Sequence, residues 1–182
     1  MVDSIEILPL TQEKFGEYIE VGKKSYAEHY LDLWQDRDPS PYIDESFTEE
    51  VLHRDLKNQN SNLFIIYSNN APIGVLKIIV NRKIGHYTSD EALLLQKIYL
   101  LNECSGTGIG SYTLAFVLDF AKRRNKKVVW LDVMKKGRAL QFYLKKGFRI
   151  HDEIQHKSPQ VIERHRDMYI MVKELDTVNS RP

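Results

Sequence analysis

Cysteine is nearly absent from this chain: Cys104 stands alone among 182 residues. A lone thiol closes no internal disulfide, which removes the disulfide-stapled secreted class and favours a reducing compartment. Nor is a staple needed, because a chain of this length buries roughly 70% of the surface it exposes when unfolded. Long apolar runs are missing as well, and nothing approaches the ~20 residues of a membrane span. The first residues carry Asp3 and Glu6 and no basic region, so no signal peptide is expected and the chain reads as soluble and cytoplasmic, with no membrane partner. Net charge is scarce too, 26 Lys and Arg offsetting 25 Asp and Glu, which gives no reason to expect a nucleic-acid partner. The six histidines show no HxxH or HxxxH spacing with a carboxylate, so no metal site is expected.

What is present is the composition of a folded globular chain, 42% apolar and 28% charged. Residues 5–8 read as a first strand ended by Pro9. Thr11 starts a helix over about 12–30, with Phe15, Tyr18, Ile19 and Gly22 on one side. Residues 36–44, with two prolines and three aspartates, have a loop composition. A second helix starts at 46–50 and places Val51, Leu52 and Leu56 at core spacing. Residues 63–67 and 73–80 read as strands about the Asn69-Asn70 turn, a hairpin signal. Further strands are expected at 93–100, 128–133, 148–153 and 168–173, and helices at 110–124 and 137–146; Arg181 and Pro182 are expected to fray. No repeat or domain boundary breaks residues 1–182, so they read as one domain.

Three of the nine glycines, Gly106, Gly108 and Gly110, fall between an expected strand and an expected helix. Such a turn brings backbone N–H groups to an anion at a helix N-terminus, where unpaired donors and the macrodipole favour phosphate. Two familiar phosphate loops fail here. The dinucleotide pattern needs glycine at 111, which is Ser111, and the P-loop needs a lysine that is not there.

The run Ser105-Gly106-Thr107-Gly108-Ile109-Gly110 resembles the pyrophosphate motif of the GNAT N-acetyltransferase superfamily, (Gln/Arg)-x-x-Gly-x-(Gly/Ala), with Ser105 in the Gln/Arg position. A second block, Ala139-Leu140-Gln141-Phe142-Tyr143-Leu144-Lys145-Lys146-Gly147-Phe148, resembles that family's Ala-x-x-Phe-Tyr-x-x-x-Gly-Phe signature. The resemblance covers about 63–173, the expected acetyl-CoA-binding core, and leaves 1–60 as the helices that wall the acceptor site. Ser46-Phe47, Phe64-Ile65-Ile66-Tyr67, Lys97-Ile98-Tyr99-Leu100, Trp130-Leu131 and Asp167-Met168-Tyr169-Ile170-Met171 make it most similar to bacterial polyamine acetyltransferases of the PaiA type.

That resemblance implies a mixed α/β fold, with a mostly antiparallel sheet of six to seven strands and about four flanking helices. It implies acetyl-CoA as co-substrate and a small-molecule amine as acceptor. The backbone of Ile98, Tyr99 and Leu100 would pair with the pantetheine arm. The N–H groups of Gly106, Thr107, Gly108, Ile109, Gly110 and Ser111 would meet the pyrophosphate. Lys136 stands where the family often has an asparagine, and a lysine there could meet a phosphate. Tyr143 takes the position of the family's proton donor to the leaving thiolate. A primary amine of pKa near ~10.4 is almost wholly protonated at pH 7, so a base is required. Relatives carry glutamates on the strand before the loop, where this chain has Leu94 and Gln96. Gln96 could orient a water that relays the proton, while Glu91, His86 and Asp132 are replacements left open. Trp34, Tyr30 and Tyr42, in an acidic aromatic region, suit a cationic amine through cation–π and Coulomb attraction.

Cys104 has no histidine nearby in sequence and reads as a small buried residue rather than a nucleophile. Two rivals stay open: a non-catalytic acyl-CoA sensor, and an enzyme acetylating a protein N-terminus or lysine. A homodimer through a sheet edge is also open. The near-neutral total hides a division. Residues 122–149 hold eleven Lys and Arg against Asp132, and residues 1–55 hold fourteen Asp and Glu against five Lys and Arg. The basic segment is expected on the coenzyme side and the acidic one on the acceptor side.

Overall fold

The computed structural model describes residues 4–176; the expectation for Arg181 and Pro182 lies outside them. Seven strands form one sheet: β1 (Ile5–Pro9), β2 (Ser61–Ser68), β3 (Ala71–Ile79), β4 (Ala92–Leu100), β5 (Val128–Met134), β6 (Arg149–Gln155) and β7 (Asp167–Glu174). Their order is β1-β2-β3-β4-β5-β7-β6, and every pair is antiparallel except β4–β5. Asn69 and Asn70 both adopt left-handed φ, 50° and 65°, the geometry of a tight hairpin turn that asparagine tolerates better than other side-chain-bearing residues.

Five α-helices cover the sheet: α1 (Phe15–Tyr30), α2 (Ser40–Ser46), α3 (Glu49–Lys57), α4 (Ile109–Lys122) and α5 (Arg138–Lys145). Helix α3 is capped by Thr48, whose hydroxyl accepts the Val51 N–H at 3.3 Å. The segment expected to be a loop at 36–44 overlaps α2, which begins at Ser40. Its turn residues served as helix starters, with Pro41 in the first turn, where a missing N–H costs nothing.

Side-chain alternation assigns the helices to two faces. Phe64 meets Phe116 and Phe120 of α4 at 5.3 and 6.0 Å between ring centroids. Its cross-strand partner Leu76 and, opposite that, Ile98 share this face. Lys77 lies on the other face, where its ammonium bonds Asp55 of α3 at 2.5 Å. One large core runs through the sheet. A smaller cluster of Ala92, Leu94, Val128, Trp130 and Val172 lies on the Lys77 face under the connection 80–91. The Trp130 indole donates to the Arg82 carbonyl at 2.8 Å and pins that connection down.

Candidate active site

The site begins where the sheet fails. Strands β4 and β5 pair over Ala92↔Val128, Leu93↔Val129 and Leu94↔Trp130 and no further, so the rest of each strand splays away from the other. On β4 the break coincides with a bulge: Leu95 faces Ile78 and Lys97 faces Lys77, leaving Gln96 unpaired. An extra residue reverses which backbone groups face which neighbour. Before it, the Glu91 carbonyl accepts from Lys127 and Val128 on the β5 side. After it, the Leu101 N–H donates to Ile73 on the β3 side at 2.9 Å, so Tyr99 turns its backbone to β3 while Ile98 and Leu100 turn theirs to the open edge. The Leu100 carbonyl there bonds His29 Nε2 at 2.9 Å, and the Asn102 N–H donates to Glu28 at 2.6 Å, so the end of α1 fixes the end of β4. Neither tie was visible in the sequence, since each spans more than seventy residues.

Beyond that edge lies the glycine loop. Gly106 and Gly108 hold φ of 79° and 91°, a region costly for any residue with a Cβ, although a Cβ would meet no atom within 4 Å at either. The requirement is conformational, and the space beside both residues is open. Gly108 caps α4 without a side-chain bond, so the first N–H groups of this 14-residue helix, on Ile109, Gly110 and Ser111, precede its first backbone bond, Tyr112 to Gly108. A Cβ at Gly110 would touch Phe142 at 3.7 Å and Leu100 at 3.8 Å, so α4, α5 and β4 converge there. The Ser105 hydroxyl bonds the Asn102 side chain and the Thr107 hydroxyl donates to the Cys104 carbonyl. Burial, with Glu103 and Glu28 adding to it, raises the Cys104 thiol, which keeps it protonated and unreactive.

Tyr143 is on α5, edge-on to Phe142 and Phe148 at 5.1 and 5.4 Å. Burial raises its phenol, with Tyr30 a further cause, so it holds its proton throughout the neutral range. Tyr30 belongs to an aromatic group formed with Tyr26, Tyr42 and Tyr99. Tyr26 stacks on Tyr42 at 4.3 Å, and the Tyr42 and Tyr99 hydroxyls are 2.6 Å apart. Lys97 joins this group: 8% exposed, its ammonium lies 5.3 Å from the Tyr42 ring and 5.0 Å from Phe47. Burial and the neighbouring Lys77 lower its pKa to about 7.

The bases left open by the sequence separate cleanly. Glu91 is held at about 2 by Lys127 and by the Thr88 N–H, so it is a poor proton acceptor. His86 stacks on Tyr87 in the connection 80–91. Asp132 lies on β5 just past the last rung to β4, on the same face as Trp130, and faces solvent. Desolvation raises its carboxyl, while Lys157 and Arg82 pull it down. Gln96 is exposed across the splay on β4.

Three expectations need correction. Trp34 offers no surface to an amine: it is 1% exposed, its indole donates to the Tyr26 hydroxyl at 2.9 Å, and its ring stands edge-on to His156. Its partner is the protein itself. Lys136 reaches the Arg164 carbonyl at 3.3 Å rather than the glycine loop. Of the basic segment 122–149, the run 122–127 sits at the C-terminal end of α4, some 21 Å from the loop at its start, whereas Arg138 and Lys145 lie on α5. Three of the run's five basic members are occupied there: Lys127 pairs with Glu91, Lys126 bonds Asn81 and Asp90, and Arg124 covers Phe120.

An open strand edge ending in an anion-ready helix start, with a phenol on one side and polar groups on the other, is the architecture of an acyl-coenzyme A transferase. The chain belongs to the acetyltransferase (GNAT) family, whose model matches residues 27–148. It is 28% identical over 156 residues to the spermidine N(1)-acetyltransferase of Thermoplasma acidophilum, covering 82% of this chain and 91% of that protein. An uncharacterised N-acetyltransferase of Lactobacillus delbrueckii subsp. lactis is 19% identical over 144 residues, 79% of this chain and 83% of that one. Against other curated N-acetyltransferases the chain spans about half their length. The PaiA N-acetyltransferase of T. acidophilum, solved with coenzyme A, superposes with a TM-score of 0.73 at 22% identity, covering 94% of this chain and 99% of that one. Among the described residues no helix is long and apolar enough to cross a membrane, and no group of metal-ligating side chains converges.

Proposed function

We propose that the chain transfers the acetyl group of acetyl-CoA to a primary amine of a small molecule, with polyamines the first acceptors to test. The observation that carries this reading is the splayed β4 edge running into the Gly106–Gly108 turn, flanked by Tyr143 on one side and by Gln96 and Asp132 on the other. Ile98 and Leu100 would hold the pantetheine arm through backbone groups, and the N–H groups of 108–111 would hold the pyrophosphate. Acetyl-CoA supplies the thioester carbonyl as electrophile. Ile98, with its N–H on the open edge, is suited to polarise that carbonyl. Tyr143 donates its phenolic proton to the departing thiolate. On the opposite side Asp132 takes the ammonium proton, directly or through a water ordered by Gln96. Although the side chain is exposed, the protein around it displaces part of the carboxylate's water shell and raises it against the pull of Lys157 and Arg82, which makes it a better base than an ordinary aspartate. The polyamine assignment draws on the spermidine acetyltransferase relative and on acids concentrated in residues 1–55.

Thiol release measured across a panel of spermidine, spermine, amino acids and aminoglycosides tests the reading. Turnover of at least one amine is expected. Coenzyme binding without turnover of any amine would instead favour an acyl-CoA sensor.

A further inference from the structure

The splayed edge of β4 is not bare along its whole length. Past the bulge, residues 98, 100 and 102 turn backbone groups to it in succession, each rung about 6.8 Å from the next. At the far end two of these groups are engaged by consecutive side chains of α1. His29 donates from Nε2 to the Leu100 carbonyl at 2.9 Å, and Glu28 accepts the Asn102 N–H at 2.6 Å. A carbonyl and the N–H two residues on are the pair that one residue of a parallel neighbour would bridge. The two side chains thus supply the donor and the acceptor of an added strand. Helix stability does not call for them. Both are exposed, and Glu28 lies in the last turn of α1, the end at which the macrodipole disfavours an acid.

This arrangement bears on the coenzyme arm. In the acetyltransferase reading above, on which this inference rests, the glycine loop holds the pyrophosphate and the arm runs along the edge to Ile98. Pantetheine is an extended chain of amides and methylenes, and such a chain on an open strand edge has more than one register available. Pairing at 98 and 100 brings the thioester to the Ile98 N–H, beside the bulge. Pairing one rung nearer the loop, at 100 and 102, leaves the thioester about 6.8 Å short of that point.

We infer that Glu28 and His29 set the register of the coenzyme arm: by occupying the Leu100 carbonyl and the Asn102 N–H, they remove the short register and leave the one that delivers the thioester to Ile98. The Asn102 N–H has one proton to give, and its bond to a carboxylate is stronger than a bond to a neutral amide. The Leu100 N–H stays on the open edge for the arm. Glu28 and His29 are positioning residues, acting through β4 and away from the reacting atoms.

Acetyl-CoA titrations at a saturating concentration of the best amine test the inference. In the Glu28→Ala/His29→Ala double variant, part of the bound coenzyme sits one rung short. Such complexes withhold enzyme without altering the productive route. The values of kcat and of KM for acetyl-CoA should therefore fall together, about 5-fold, with kcat/KM unchanged. A merely structural role would raise KM and lower kcat/KM, and that result would overturn the inference. Restoring the acceptor alone, as Glu28→Gln/His29→Ala, should bring both constants part of the way back; no recovery would also overturn it. Hydrogen exchange gives a readout that needs no turnover. In the wild-type chain the Asn102 amide is protected whether or not coenzyme A is added. In the double variant it exchanges fast alone and slows with coenzyme A. An Asn102 amide that coenzyme A leaves fast in the double variant would sink the inference. Thermal stabilisation by coenzyme A, retained in the variants, shows that they fold. Absence of turnover with every amine would overturn the acetyltransferase reading itself, and the exchange at Asn102 would still decide the register.

Discussion

Lys77 and Lys97 sit opposite one another on β3 and β4, both 8% exposed, yet substitution should move stability in opposite directions. Lys77 is paired with Asp55, and Lys77→Met would leave that carboxylate buried and unpaired, a loss of about 3–5 kcal/mol. Lys97 has no carboxylate partner among the described residues, and burial has lowered it to about 7 from a solution value near 10.4. The folded state binds fewer protons than the unfolded one between these values, so the penalty is full below about pH 7 and disappears as pH rises towards 10.4. Lys97→Met should therefore raise Tm, on the order of 5 °C near pH 7, with the gain fading in alkali. Thermal melts of both variants between pH 6 and 10 check the pair of signs. Tyr143→Phe belongs to the same scale. It should lower kcat about 100-fold while leaving coenzyme-induced stabilisation intact; an unaltered kcat would remove the phenol from the chemistry. Asp132→Asn should remove the acidic limb of the kcat/KM profile. Because its carboxyl is raised, that limb should lie above the range of an ordinary aspartate. A limb that survives the substitution would place the base elsewhere.

At the scale of elements, the strands and long helices were legible because their periodicity is local. The alternation in β2 and β3, the Asn69-Asn70 turn and the apolar spacing of α4 each lie within one segment. Helix α2 was not legible, because Pro39, Pro41 and Asp44 read equally well as a loop; it took shape where Tyr42 and Phe47 packed against Tyr99. The same limit governed the site. The glycine run and the Tyr143 block are contiguous motifs and could be read directly. The fate of Trp34 depended on residues 156–161, more than a hundred positions away, and no local pattern announces such a contact. The bulge at Gln96 was hidden for a like reason, since it is defined by registration against β3. One substitution tests the glycine turn as an element. Gly108→Val forces a β-branched residue to φ of 91° and should abolish the thermal stabilisation given by coenzyme A. Gly110→Ala, whose methyl would find only ordinary contacts, should keep it. Retained stabilisation in Gly108→Val would sink the loop assignment.

For the molecule as a whole, the proposed function depends on a sheet left incomplete. Adding coenzyme A should slow hydrogen exchange at the Ile98 amide, which faces the open edge, more than at Tyr99, which already turns to β3. Equal protection of both would contradict the edge assignment. The three rungs joining β4 to β5 carry a further implication, for the order of folding. The strands β1 to β4 form antiparallel neighbours, and β5 to β7 form a second antiparallel group, so the parallel joint Ala92–Leu94 with Val128–Trp130 is the seam between two halves. Local hairpins close at low entropic cost, whereas this seam must wait for the chain to cross through α4. Pulse-labelled refolding should find the β2–β3 amides protected before those of the seam, so that the cleft proposed to receive the substrate is also a late joint for the chain to complete.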